Sequence, residues 1–130
     1  EAFNEYGDIA LYREGGYLTF EYFTIDVPEV TKEGIRRIND FAAFCEKQGA
    51  VCLLSSYPIA YGQYSPSAEE YQQFQQELEG MLEFEMISDY TDYLLDYSLF
   101  YDTLYHLSTE GAQVRTRQLI QDIRQWQNNH

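Results

Sequence analysis

The chain has 130 residues, and 22 Asp plus Glu against 8 Lys plus Arg give a formal charge of −14. With 45% apolar and 17% aromatic residues, it can bury a core as one domain, and it lacks the composition of a disordered acidic chain. Such acidity excludes nucleic acid as a partner, since a basic footprint supplies most of that affinity, and no apolar run approaches the ~20 residues of a membrane-spanning helix.

The chain opens at Glu1 rather than Met, and no basic stretch followed by an apolar one marks a signal peptide. The expectation is a processed product or a piece cut from a longer chain. Tyr17 to Phe23 is aromatic and β-prone, bounded by Gly15-Gly16 and Pro28, and reads as a strand or an extended surface segment. From Thr31 the pattern turns helical. Ile35, Ile38, Ala42 and Cys45 share one face, Thr31 can cap the start, and Gly49 can end the helix.

Ala50 to Leu54 is an unbroken apolar run, which predicts a strand covered on both faces, as in a parallel sheet. Ser55 to Pro66 reads as a turn-rich loop. Ser67-Ala68-Glu69-Glu70 is a capping box, opening a second helix with Tyr71, Phe74, Leu78 and Leu82 on its apolar stripe. Phe84 to Ile87 reads as a short strand, at a spacing from Ala50 that suits a β-α-β unit. Ser88 to Tyr105 is a long connection rich in Asp and Tyr. A last helix begins near the cap candidate Ser108, with Ala112, Leu119, Ile120, Ile123 and Trp126 as its buried face.

The order, β?-α-β-α-β-loop-α with the first strand unresolved, predicts a three-layer α/β fold with a mostly parallel sheet flanked by helices. No linker or repeat divides it, so residues 1–130 read as one α/β domain or the C-terminal part of a larger one. Cys45 and Cys52 sit in apolar contexts without metal-ligand spacing, and read as buried thiols rather than a zinc site. A disulfide between them stays open. Glu83, Glu85, Asp89, Asp92 and Asp96 lack the ordered spacing of a calcium loop and read as a solvated acidic face. No cofactor and no metal is expected.

In open α/β sheets, chemistry sits beyond the carboxyl ends of the strands. That singles out Ser55-Ser56-Tyr57-Pro58 and the segment from Asp89 to His106. His106 follows Asp102 by four residues just before the last helix. A carboxylate so placed can fix the imidazole tautomer and stabilise its protonated form, which suits a general base, whereas the plainer alternative is a histidine satisfied near a helix start. Ser55 and Ser56 lack the Gly-x-Ser-x-Gly surroundings of a strained nucleophile turn and read as strand-end residues. Tyr57, Tyr61, Tyr101 and Tyr105 are candidate binding residues, because tyrosine offers a stacking face with a polar tip. Their other reading is half-buried rings packing a loop-rich surface.

The phrase Phe100-Tyr101-Asp102-Thr103-Leu104-Tyr105-His106-Leu107-Ser108-Thr109-Glu110-Gly111-Ala112, followed by an amphipathic helix, resembles the C-terminal motif of the SGNH (GDSL-like) hydrolases. The likeness is closest to a cell-envelope branch that includes proteins similar to the D-alanyl-lipoteichoic acid biosynthesis factor. Phe3-Asn4-Glu5-Tyr6-Gly7-Asp8 also resembles a segment midway through such proteins. The resemblance implies a flavodoxin-like sheet, with Asp102 as orienting acid and His106 as general base of a Ser-His-Asp triad. It also implies an acylated cell-envelope glycan as substrate and an extracytoplasmic location. Two departures stand out. Tyr105 is one residue more than the family's Asp-x-x-His spacing, and Gly7-Asp8 is followed by Ile9, so the family's Gly-Asp-Ser nucleophile is missing.

This implies the C-terminal part of an SGNH-like esterase or acyltransferase, inactive alone, whose first partner is the rest of its own domain with the upstream serine. Two alternatives remain: an acidic binding protein of the inhibitor or immunity type for a basic partner, and a degenerate hydrolase domain that binds glycan through its tyrosines.

Overall fold

The computed structural model describes residues 3–7, 11–16 and 26–130. The segment Tyr17 to Phe23 lies outside them. Three helices and four short strands follow in the order α1 (Lys32–Lys47), β1 (Leu53–Leu54), β2 (Ile59–Tyr61), α2 (Ala68–Glu79), β3 (Glu85–Met86), β4 (Leu94–Asp96) and α3 (Thr109–Asn129). The architecture is mixed α/β.

The helices begin where the sequence places them. Thr31 accepts from the Gly34 N–H at 3.1 Å, and the Ser67–Glu70 capping box closes in both directions, at 2.9 and 3.3 Å. Ser108 accepts from the Gly111 N–H at 3.0 Å. Each satisfies a donor that a helix start leaves open. Arg36 and Arg37 pair with Glu33 and Asp40 along the exposed side of α1, at the i, i+3 and i, i+4 spacings that make side chains neighbours on a helix surface. On the inner side Ile35 and Ala42 are buried, with Asn39 between them. Asn39 donates to the Met81 carbonyl at 3.0 Å and accepts from the Glu83 N–H at 3.1 Å, which ties α1 to the chain leaving α2.

The expected parallel pairing is present but shorter. Leu53 pairs with Glu85 and Leu54 with Met86, and the Ile87 N–H continues the ladder to the Leu54 carbonyl at 2.8 Å. A second parallel pair, Ile59 with Leu94 through Tyr61 with Asp96, lies inside the two segments expected to be loops, 55–66 and 88–105. The second of these also holds 3-10 turns at Tyr90–Tyr93 and Tyr97–Leu99, capped by Asp89 and Asp96. Strand alternation sends β2 and β4 side chains to two different clusters. Ile59 and Leu94 join Tyr71, Phe74 and Tyr90, whereas Ala60 and Leu95 join Phe100, Leu107 and Val114.

Three expectations are corrected. The run Ala50 to Leu54 is not covered on both faces: Val51 is 69% exposed and Cys52 to Leu54 are half-buried, since among the described residues β1 pairs with β3 alone and α1 leaves Phe41 and Phe44 exposed. Cys45 and Cys52 are half-buried free thiols lying against each other, and burial followed by the Cys45 thiol raises the Cys52 pKa. The inner side of α3 is mixed rather than apolar, with Ala112, Val114, Leu119, Ile123 and Trp126 only half-buried. Gly111 and Asp122 are its buried residues, while Ile120 is exposed.

Candidate active site

The loop that carries Asp102 and His106 is closed from below by backbone. Phe100, fully buried, bridges antiparallel to Leu107, and the Tyr101 N–H donates to the His106 carbonyl at 2.7 Å. Thr103 Oγ1 accepts from the N–H groups of Tyr105 and His106, at 3.3 and 3.1 Å, so the segment between Asp102 and His106 is held as a side-chain-stabilised turn. The Ser108 N–H bonds to the Leu99 carbonyl at 2.8 Å and fixes the start of α3 against the same loop. Gly111 is required there, because a Cβ at this position would lie 2.1 Å from the Leu99 carbonyl oxygen.

On this base His106 Nδ1 stands 2.9 Å from Asp102 Oδ1. With the carboxylate accepting, the proton sits on Nδ1 and Nε2 presents its lone pair outward. Both side chains are more than half exposed, at 61% and 53%, so the ring can be reached. Asp102 also lines an open cleft of about 400 Å³ with Tyr12, Glu14 and Tyr101. At its rim the Tyr12 hydroxyl donates to Glu110 at 2.7 Å, which raises the Tyr12 pKa and lowers that of Glu110.

Among the described residues no serine hydroxyl bonds to the His106 ring. Ser55 donates to the Tyr93 hydroxyl at 3.2 Å. Ser88 donates to Ser56 at 2.9 Å and accepts from the Ser56 N–H at 2.7 Å, both side chains being buried. These serines work as structural clips where the two parallel ladders meet.

The candidate tyrosines fall into two groups. Tyr101 and Tyr105 belong to the Asp102–His106 loop, with Tyr105 exposed. Tyr57 and Tyr61 belong to the cluster around Tyr90. The Tyr57 ring meets Tyr90 edge-on at 6.0 Å, Tyr71 stacks on Tyr90 at 5.9 Å, and Tyr61 packs against them. The Tyr71 and Tyr90 hydroxyls are buried without a hydrogen-bond partner, the Tyr57 hydroxyl lying near Tyr90 but outside bonding geometry. Burial pushes Tyr71 up to about 12, and raises Tyr90 further.

Sequence reasoning missed a polar seam beneath α3, buried at Tyr93 and Asp122 and open to solvent at Asp92. The Tyr93 hydroxyl donates to Asp122 at 2.6 Å, and Gln118 donates to Asp122 at 3.0 Å and to Asp92 at 3.3 Å. Burial, followed by the bond to Asp122, pushes Tyr93 up to about 12. Burial, then Asp89 and Asp122, raises Asp92. The signal was Gly111, Gln118 and Asp122 lying one above another at helical spacing. The acids that read as a solvated face have individual tasks: Asp89 and Asp96 cap turns, and Glu85 accepts from the Trp126 indole at 2.7 Å. Among the described residues no group of three or more His, Cys, Asp or Glu is arranged to hold a metal, and no helix is long and apolar enough to cross a membrane.

The chain matches no family model, no curated protein and no solved structure.

Proposed function

We propose that Asp102 and His106 are the orienting acid and general base of a Ser-His-Asp triad in an SGNH-like esterase or acyltransferase. The serine would come from a part of that domain outside residues 1–130. The observation that carries this reading is the 2.9 Å Nδ1–Oδ1 bond on an exposed, backbone-braced loop. It leaves Nε2 to accept the proton as the serine oxygen attacks an acyl carbonyl, and to return that proton to the departing alcohol. The tandem parallel ladders joined through α2 support the finer reading of a three-layer, flavodoxin-like sheet. By the same resemblance the substrate is an O-acylated cell-envelope glycan, with Tyr101 and Tyr105 as its stacking residues.

The gene decides it. The expected result is an upstream Gly-Asp-Ser-type serine, labelled by a fluorophosphonate in the gene's full product, with ester hydrolysis lost by at least about 10³-fold in His106→Ala. A reading frame that opens at or just before Glu1 overturns the reading, as does labelling and turnover indifferent to His106→Ala.

A further inference from the structure

A second open cleft lies across Tyr12 from the first, measures about 670 Å³, and is flanked by two arginines, Arg13 and Arg117. In a chain of net charge −14, any cation close to a carboxylate would be expected to pair with it. Of the six arginines, Arg36 and Arg37 do so on α1. Among the described residues Arg13, Arg115, Arg117 and Arg124 form no ion pair; Arg13 and Arg117 are the two that line a common cleft, and the Nε of Arg13 is buried with no hydrogen-bond partner. A buried guanidinium N–H without an acceptor carries a desolvation penalty.

The position of Arg13 is fixed by its backbone. Its N–H donates to Thr109 Oγ1 and its carbonyl accepts from the Thr109 N–H, both at 2.9 Å. Arg117 rises from α3 two turns later, with Gln113 and Thr116 beside it and Leu11 and Ala112 as apolar wall. The first-turn N–H groups of α3 are already taken. Thr109 donates to Arg13, Gly111 and Ala112 donate to Ser108, and Glu110 is held by its own carboxylate. The donors on offer are therefore side chains, and guanidinium forks fit planar or tetrahedral oxyanions in two-point contact.

We propose that the Arg13–Arg117 cleft is a binding site for an oxyanion, phosphate or carboxylate, carried on a small apolar body. The guanidinium groups hold the anion, the Gln113 amide and Thr116 hydroxyl add polar contacts, and Leu11 and Ala112 cover the apolar part. This binding is independent of the Asp102–His106 chemistry, so its test needs no turnover.

Calorimetric titration of the 130-residue chain with phenyl phosphate, benzoate, inorganic phosphate and benzyl alcohol tests it. Phenyl phosphate or benzoate is expected to bind at least tenfold more tightly than benzyl alcohol, and whichever of the two binds more tightly names the anion. Arg117→Gln, an exposed change that leaves the fold intact, is expected to weaken that probe at least tenfold, and Arg13→Lys to weaken it less. Arg124→Gln, on the same helix outside the cleft, is expected to leave it unchanged. Binding of benzyl alcohol equal to that of the anions overturns the proposal. So does the absence of binding by both anionic aryl probes, an unchanged affinity in Arg117→Gln, or an equal loss in Arg124→Gln.

Discussion

Two carboxylates in this molecule each hold a ring-bearing partner at short range, and their surroundings give them opposite parts. Asp122 is 7% exposed and accepts the Tyr93 hydroxyl at 2.6 Å beneath α3. Asp102 is more than half exposed and meets His106 at 2.9 Å on an open loop. The buried pair has no water to fall back on, so breaking it strands a polar group. The exposed pair can trade its partner for water at little cost. The first pair is suited to holding the fold, and the second to chemistry that needs access and exchange of protons.

The largest expected effect comes from removing the buried acid. Asp122→Ala should lower unfolding free energy by about 2–3 kcal/mol, since bonds to charged groups are worth about 1.5–3 kcal/mol. Asp102→Ala should stay within about 0.5 kcal/mol of the parent. Urea unfolding of both at pH 7 checks the contrast, and equal losses would erase it. Tyr93→Phe takes away the same bond from the other side but leaves Asp122 with Gln118. Its loss should be nearer 1 kcal/mol, and a larger loss than in Asp122→Ala would reverse the assigned roles.

The buried tyrosines sharpen the point through pH. Tyr71 and Tyr93 are each raised from 10.0 to about 12 in the folded chain. The folded state therefore favours the protonated phenol, and this contribution is complete below about pH 10 and drains away as pH rises towards about 12. Unfolding midpoints measured from pH 9 to 12 should fall along that interval, and a flat profile would contradict the burial of these hydroxyls. The smallest effect is expected from Tyr71→Phe at pH 7. Its hydroxyl bonds to nothing, so stability should be unchanged or slightly higher, within about 0.5 kcal/mol, while the alkaline decline becomes shallower. A neutral-pH loss beyond about 1 kcal/mol would show that the hydroxyl has a partner after all.

Helix starts were legible because their determinants are local: Thr31, Ser67 and Ser108 each cap within three residues. The pairing of 50–54 with 84–87 was legible from the apolar run, although not its short extent. β2 was hidden because Ile59–Tyr61 lies between Pro58 and Gly62 and reads as turn, and β4 because Leu94–Asp96 sits among Asp and Tyr. Each becomes a strand only through the other, and strand propensity depends on such partners. The inner side of α3 was misjudged for a similar reason. Asp122 is buried because of Tyr93, 29 residues away, and helical periodicity carries no record of that. At the candidate site the Asp102–His106 spacing was visible, whereas the turn made by Thr103, which brings the two side chains together, was not.

The two ladders also bear on how the chain folds. Leu53 meets Glu85 and Ser56 meets Ser88, 32 residues apart, whereas Ile59 meets Leu94 at a separation of 35. The same two stretches thus run side by side twice, and the 3-10 turn at Tyr90–Tyr93 takes up the three-residue difference between them. None of these pairings can form until a long loop has closed, so the loop entropy comes before any reward from pairing. The Ser56–Ser88 clip sits where the tracks change register, and its two buried hydrogen bonds are made in one alignment of the stretches and lost in a slipped one.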